Sequence, residues 1–254
     1  MLHPSVAVLE YNLAAYRRVW KGSVLSSFAL PILFLLGMGL SVGSYVDARG
    51  ALGTDYLDYI APGVLMSTAL QVAVGESTWP VFASFTWTRT YHAMQATPLR
   101  VRDILAGSVG FVLVRVTVAC AGFLAVMLAF ATVHSVWALA ALPACVLLGL
   151  AVAAPVFAFA ASIGNDGMFA VLLRFGVIPM TLFAGVFFPV DTLPLLPRWL
   201  AYASPLWHGV ELGRASTLGV DTAWGWGTHV AYLVAWCVAG YWLALFRFNR
   251  KLSD

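Results

Sequence analysis

Long runs of apolar residues, separated by short polar connections, dominate the sequence. A helix needs about 20 apolar residues to cross about 30 Å of hydrocarbon, and six segments reach that length. They are residues 23–42, 59–82, 104–133, 136–163, 169–190 and 228–246. Only His134 and Ser135 separate the third segment from the fourth, which predicts a tight helical hairpin. The pattern therefore predicts one all-α integral membrane domain, residues 1–254, with six transmembrane helices.

The composition excludes a soluble globular protein. Hydrophobic residues make up 61% of the 254 positions and charged residues 10%, with a mean hydropathy of +0.88, whereas soluble domains carry about 25% charged residues. The net charge of +3 includes no run of Lys or Arg, so no nucleic acid partner is expected. The three cysteines lie inside apolar segments, where they are expected to be small core residues rather than disulfides or metal ligands.

Basic residues flank the apolar segments unequally, which predicts the orientation of the chain. Nine fall on one side, namely Arg17, Arg18, Lys21, Arg89, Arg100, Arg102, Arg247, Arg250 and Lys251. Three fall on the other, namely Arg49, Arg198 and Arg214. Both termini are therefore predicted to be cytoplasmic. The polar stretch before the first apolar segment does not resemble a cleavable signal, so that segment is expected to be retained.

Three stretches do not span. Apolar residues recur at three- and four-residue steps within residues 1–22, which predicts an amphipathic interfacial helix, acting either as an anchor or as a docking element. Residues 84–103 form a cytoplasmic connection in which Pro98 should end a short helix; a solvated loop is the alternative. Residues 189–219 combine four prolines with many apolar residues, which predicts short helices dipping into the outer leaflet.

The sequence contains no motif for catalysis or nucleotide binding. Its only lysines, Lys21 and Lys251, do not follow the glycines of a phosphate loop. No histidine pair has metal-ligand spacing, and no nucleophile elbow is present. The chain is therefore not expected to be an enzyme or to bind a cofactor itself.

Three ionisable residues are predicted at membrane depth, where a charge at the centre of a span costs about 2.5 to 3.5 kcal/mol to insert. Glu76 and Arg174 lie toward the cytoplasmic ends of their segments, so they could pair, although Arg174 could also extend to the headgroups. Arg115 lies near the middle of the third segment and is expected to face a polar group, a subunit interface or an anionic substrate.

Two sequence blocks resemble the ABC-2 type exporter permeases. The first runs from Glu76 through Arg89, Tyr91 and Met94 to the Ala-Thr-Pro-Leu sequence at 96–99. The second is the Ala-Gly-Val-Phe-Phe-Pro-Val-Asp-Thr-Leu-Pro sequence at 184–194, followed by Pro-Leu-Trp-His at 205–208. The sequences of these blocks are most similar to those of the permeases that export nodulation factors, which are lipo-chitooligosaccharides, and of related permeases described as multidrug exporters.

This resemblance implies a connecting helix within residues 1–22, a coupling helix in the 84–103 loop and re-entrant outer helices within 189–219. It implies that six residues contact an ATPase or couple its motion to the permease, namely Glu76, Arg89, Tyr91, Met94, Thr97 and Pro98. Arg115, Arg174, Phe187 and Phe188 become candidates for the substrate path. The working unit would contain two permease copies, as a homodimer, and two ATPase subunits that bind ATP and Mg²⁺.

The function implied is ATP-driven export of an amphiphilic substrate across the bacterial cytoplasmic membrane by alternating access. A lipid-linked glycan, a lipo-oligosaccharide and a drug all fit this description. An ion-coupled secondary transporter is the first alternative, although such proteins usually show internal repeats. An integral membrane enzyme is the second, and only the neighbourhood of His208 and Glu211 approaches a polar cluster.

Overall fold

A computed structural model describes residues 3–18, 20, 22, 32–38 and 55–253. These residues form helices joined by turns, and the described part of the chain contains no strand. We number ten helices in chain order, leaving the helical stretch 32–38 unnumbered. They are α1 (Pro4–Tyr16), α2 (Tyr56–Ser77), α3 (Trp79–Thr86), α4 (Thr90–Gln95), α5 (Val101–Ala129), α6 (Ala141–Ser162), α7 (Met168–Phe183), α8 (Leu195–Tyr202), α9 (Pro205–Leu218) and α10 (Trp226–Ser253). The structure confirms the predicted all-helical class.

Among the described residues, four stretches are long and apolar enough to cross a membrane. They are Tyr56–Thr86, Val101–Ala129, Ala138–Ser162 and Trp226–Ser253, and each overlaps one predicted segment. The first of these contains α2 and α3, which are separated at Thr78; Pro80 lies in the first turn of α3. The predicted segment 23–42 lies largely outside the described residues, of which only 32–38 are helical.

The fifth predicted segment differs from the expectation of one continuous span. Helix α7 has 16 residues and contains a π-helical turn at Leu172–Val177. At about 1.5 Å per residue it measures at most about 24 Å, less than the hydrocarbon thickness. The helix ends before Gly185, whose φ of +77° turns the chain. Residues 184–189 therefore form a turn rather than the last turns of a span.

Helix α6 forms the centre of the bundle, in contact with α2, α5, α9 and α10. The turn between α5 and α6 is fixed by the backbone N–H groups of His134 and Ser135, which donate to Thr217 O at 2.8 and 3.0 Å. We call this the hairpin end of the bundle, and it also holds the first residues of α2 and α10. The opposite end, which holds α4, is called the α4 end.

Helix α1 is present as predicted, but it does not lie along the membrane interface as expected. Ser5 Oγ donates to Asp103 Oδ1 at 3.3 Å, and Tyr16 contacts Arg115, so α1 runs alongside α5 in the same direction. At Gly107 the helices approach so closely that a Cβ would lie 2.5 Å from Ser5 O. The contacting face is centred on Val8, which is 1% exposed, because α5 rather than lipid covers that side.

Short helices form within residues 189–219, as the prolines predicted. Helix α8 leaves Leu195, Leu196, Trp199 and Leu200 more than 60% exposed. Helix α9 instead inserts among α2, α6 and α10, and ten of its residues are buried. The two helices thus place apolar side chains in different surroundings, one on the bundle surface and one inside the bundle.

Candidate functional site

A buried ion pair joins α2 to α5 inside the bundle. Arg115 Nε donates to Glu76 Oε1 at 2.9 Å, and the side chains are 10% and 23% exposed. Arg115 is the central residue of α5, about 21 Å from Val101 at 1.5 Å per residue. Glu76 therefore pairs with Arg115, and the suggested pairing with Arg174 was wrong.

Tyr16 adds the N-terminal helix to this pair. The Arg115 guanidinium carbon lies 4.2 Å from the centre of the Tyr16 ring, and Arg115 Nη1 donates to the Tyr16 hydroxyl. Stacking on an aromatic face and a hydrogen bond both stabilise a guanidinium removed from water. The sequence showed Tyr16 only as one apolar position in a periodic helix, and its contact with Arg115 could not be inferred from that spacing.

The remaining substrate-path candidates lie elsewhere. Arg174 is exposed on the π-helical turn of α7 and forms no ion pair with the described residues. Phe187 and Phe188 are half-buried in the turn after α7, where Phe187 O accepts a hydrogen bond from the Tyr56 hydroxyl at 3.5 Å. The Phe187 ring also lies 5.7 Å from that of Phe34. The structure thus does not bring Arg115 and Arg174 into one cluster.

Helix α4 is held to the bundle by one aromatic residue. Tyr91 is 6% exposed, and its ring lies 4.9 Å from Phe85 of α3 and 5.5 Å from Phe248 of α10. Phe248 also contacts Phe157 of α6. Burial raises the pKa of the Tyr91 hydroxyl to about 12, so it stays protonated. Tyr91 therefore anchors α4 to α3 and α10 directly, and to α6 through Phe248.

The other predicted coupling residues lie on or near the surface of this short helix. Arg89 precedes α4 in a left-handed conformation, with φ of 51°, and is exposed. Met94 is half-buried, while Thr97 and Pro98 are exposed. Helix α4 ends at Gln95, in agreement with the prediction that Pro98 ends it. Glu76 lies apart from this surface and pairs with Arg115 of α5.

The hairpin end contains a second polar cluster that sequence reasoning did not resolve. His208 Nδ1 and His229 Nδ1 lie 2.9 Å apart, and His208 Nε2 lies 3.0 Å from Tyr202 O. Burial lowers the pKa of His208 to about 4, so the ring is neutral at pH 7. Since a carbonyl only accepts, Nε2 carries the proton and Nδ1 accepts one from His229. The described residues contain no group of three potential metal ligands.

Comparison with known proteins agrees with this architecture. The sequence profile described as "ABC-2 type transporter" matches residues 5–218. Nodulation protein J of Rhizobium leguminosarum bv. trifolii is 29% identical over 250 residues, which cover 97% of this chain and 93% of that protein. Nodulation protein J of Rhizobium meliloti (strain 1021) is 26% identical over 247 residues, with 97% and 93% covered. The chain, an all-helical membrane protein matched over most of its length, belongs to the ABC-2 type transporter family.

Proposed function

We propose that this chain is the membrane permease subunit of an ATP-driven exporter. The observation that carries the proposal is the family match over residues 5–218, together with a sequence that lacks a phosphate loop of its own. ATP and Mg²⁺ are then bound by a separate ATPase. Two ATPase subunits and two permease copies, as a homodimer, make up the working unit in the bacterial cytoplasmic membrane.

Helix α4 is the proposed contact with the ATPase. It presents exposed His92 and Ala93, and exposed Arg89 lies just before it. Tyr91 packs against α3 and α10, and Phe248 of α10 links this contact to α6. A displacement of α4 is therefore passed to three helices through one buried aromatic cluster. Alternating access requires that ATP bind two global arrangements with different affinity, and this connection supplies a route for the difference.

The proposed cargo is amphiphilic, and a lipo-oligosaccharide is the first candidate because the similar proteins are named nodulation proteins. Arg115 already has Glu76 and Tyr16 as partners, so we assign it to positioning of the helices. Arg174 is exposed on α7, which leaves it as the better candidate for contact with an anionic part of the cargo. Phe187 and Phe188 stay candidates for the apolar part.

Affinity purification from mild-detergent membranes tests the assembly. The tagged chain is expected to recover an ATPase with a phosphate loop in equimolar amount, and mass spectrometry of bound lipids then gives the first cargo candidates. A chain that purifies alone, folded and active in transport with an ion gradient, would instead establish a secondary transporter. Turnover by the purified chain without any ATPase would establish a membrane enzyme.

Charge reversal on α4 tests the coupling assignment. The double variant Arg89→Glu/His92→Glu changes two exposed side chains and leaves Tyr91 in place. We expect it to lose stimulation of the ATPase while keeping its melting temperature. Arg250→Glu, an exposed reversal on α10 at the same end, is the matched control and should retain stimulation. Equal stimulation in both variants would reject α4 as the docking helix.

The proposed topology has six membrane crossings, with both termini cytoplasmic and the hairpin end outside. Helix α7 and the turn after it make the fifth crossing, because Phe187 lies beside Tyr56 at the hairpin end. All three native cysteines are buried, so single introduced cysteines can report accessibility to an impermeant maleimide in intact cells. Val136→Cys, at a position 96% exposed in the hairpin turn, should be labelled. Ser253→Cys, near the end of α10, should be labelled only after lysis. The reverse pattern would invert the orientation.

A further inference from the structure

The hairpin end contains a cavity of about 230 Å³ that no part of the proposed coupling mechanism uses. It lies between the start of α2, the turn at Val190–Thr192, helix α9 and the connection to α10. Its chemically distinctive lining residues are Tyr59, Asp191, Trp207, Glu211, Arg214 and Asp221. One water molecule needs about 10 to 15 Å³ of such space, so the cavity admits a ring-sized group.

Two donors in the wall of this cavity have no acceptor among the described residues. Tyr59 Oη and Arg214 Nε are buried, and neither has a hydrogen-bond partner there. The rest of the Arg214 guanidinium is held in place: its central carbon lies 4.0 Å from the Tyr59 ring centre, Nη1 lies 3.8 Å from Glu211 Oε1, and Nη2 donates to Gly185 O. The two donors are therefore fixed in position while lacking acceptors. A buried donor left unpaired destabilises the folded protein, which favours a bound group that accepts.

The same cavity also offers acceptors. Asp221 is exposed and Glu211 half-buried; Glu211 accepts one hydrogen bond from Ala223 N at 3.0 Å and keeps further lone pairs. Asp191 accepts from the Tyr202 hydroxyl at 3.1 Å. The ring of Trp207 forms an apolar wall beside these oxygens. A ligand must therefore donate and accept at once and tolerate an aromatic neighbour.

These requirements exclude the simplest ions. Three carboxylates against one guanidinium repel a phosphate or a carboxylate. The described residues form no group of three ligands suited to a metal ion, and a metal would leave the Tyr59 and Arg214 donors unpaired. A hydroxyl both donates and accepts, and a ring bearing several hydroxyls satisfies both kinds of group in one step.

We propose that this cavity is a binding site for a neutral, hydroxyl-rich ring, that is, one sugar unit. The unit comes either from a free saccharide on the hairpin side or from the head of the exported amphiphile. The second source rests on the proposed function, whereas the first does not. In either case Glu211 and Asp221 accept from ring hydroxyls, and Tyr59 and Arg214 donate to them.

Binding is measured on the full chain extracted in polymer nanodiscs, because glycoside detergents would themselves occupy a sugar site. The probes are cellobiose, maltose and chitobiose, with glucuronate as the anionic comparison, and saturation-transfer NMR is the readout. At least one neutral disaccharide is expected to bind, and glucuronate at least tenfold more weakly. Asp221→Asn combined with Glu211→Gln should weaken the neutral sugar at least tenfold. Asp55→Asn, an exposed carboxylate outside the cavity, is the control and should leave binding unchanged.

Lipid mass spectrometry separates the two sources. Loss of a co-purified glycolipid in the double variant, with the ATPase still bound, identifies the cargo head as the ligand. Unchanged glycolipid with weakened disaccharide binding identifies a free saccharide. Failure to bind any of the three disaccharides, or equal binding by the double variant, would overturn the site. ATPase recovery is scored separately, so failure of the exporter assignment is distinguishable from failure of the cavity assignment.

Discussion

Removing the charge of Arg115 should destabilise the bundle more than any exposed substitution. Arg115→Gln leaves the Glu76 carboxylate, 23% exposed, without the donor that lies 2.9 Å away. Breaking a buried pair by removing one partner costs about 3 to 5 kcal/mol. Because Glu76 keeps some exposure, we expect the lower end of that range, about 3 kcal/mol. Glu76→Gln should cost a similar amount, since it leaves the buried guanidinium without its counter-charge.

The double-mutant cycle makes this reasoning testable. Arg115→Gln/Glu76→Gln removes both charges, so its loss of stability should be close to that of one single variant rather than to the sum. Unfolding of the purified permease in detergent, followed by circular dichroism against denaturant concentration, measures the three differences. Additive losses would show that the two side chains do not depend on each other, and the pairing assigned here would be refuted.

A charge swap separates positioning from cargo contact. Arg115→Glu/Glu76→Arg keeps opposite charges on α2 and α5 but moves the guanidinium away from Tyr16. If Arg115 acts through helix packing, the swap should recover more than half of the export lost in Arg115→Glu alone. Export that stays at the level of the single variant, in a protein of recovered stability, would instead assign Arg115 to the cargo.

Three further changes test other contacts. Gly107→Ala should lower the free energy of unfolding by about 1 to 3 kcal/mol through overpacking and raise hydrogen exchange in α1, because the new Cβ meets Ser5 and Val8. Gly110→Ala, which has open space around it, is the control. Tyr91→Ala should cost about 3 kcal/mol of unfolding free energy, while Tyr91→Phe should keep ring packing and lose less than about 1.5 kcal/mol; equal losses would reject the aromatic anchor. Acidification should lower the melting temperature through His208, because the folded pKa of this histidine is about 4 and lies below its ordinary value of 6.5. The stabilising contribution of neutral His208 is therefore complete above about pH 6.5 and is lost as the pH falls toward 4. His208→Asn should flatten that dependence and His92→Asn, which is exposed, should not; an unchanged slope in both would contradict it.

The sequence predicts the long helices well, because about 20 consecutive apolar residues have few alternatives in a membrane protein. Helices α2, α5, α6 and α10 illustrate this. Helix α7 is harder, since composition alone does not reveal that the chain adopts a π-helical turn and then bends at Gly185. Hydropathy records how apolar a stretch is, and not whether its backbone stays regular.

Contacts between helices were less predictable than the helices themselves. Glu76 and Arg115 are 39 residues apart, and their pairing depends on how α2 and α5 are aligned along their lengths. The orientation of α1 depends on the gap left by Gly107, which is visible only once α5 is built. The cavity at the hairpin end combines residues from three helices and two connections, so no local spacing indicates it.

The pairing of Glu76 with Arg115 also has a consequence for biosynthesis. The ribosome synthesises Glu76 before Arg115, so the Glu76 carboxylate reaches the insertion machinery without its counter-charge. During that interval α2 carries an uncompensated acid, at a cost of about 2.5 to 3.5 kcal/mol if the acid lies at the centre of a span. We therefore expect a nascent chain stalled before α5 to hold α2 only loosely. Once α5 emerges, Arg115 can pair with Glu76 and α5 can pack against α1, so α2 would then be held stably in the membrane.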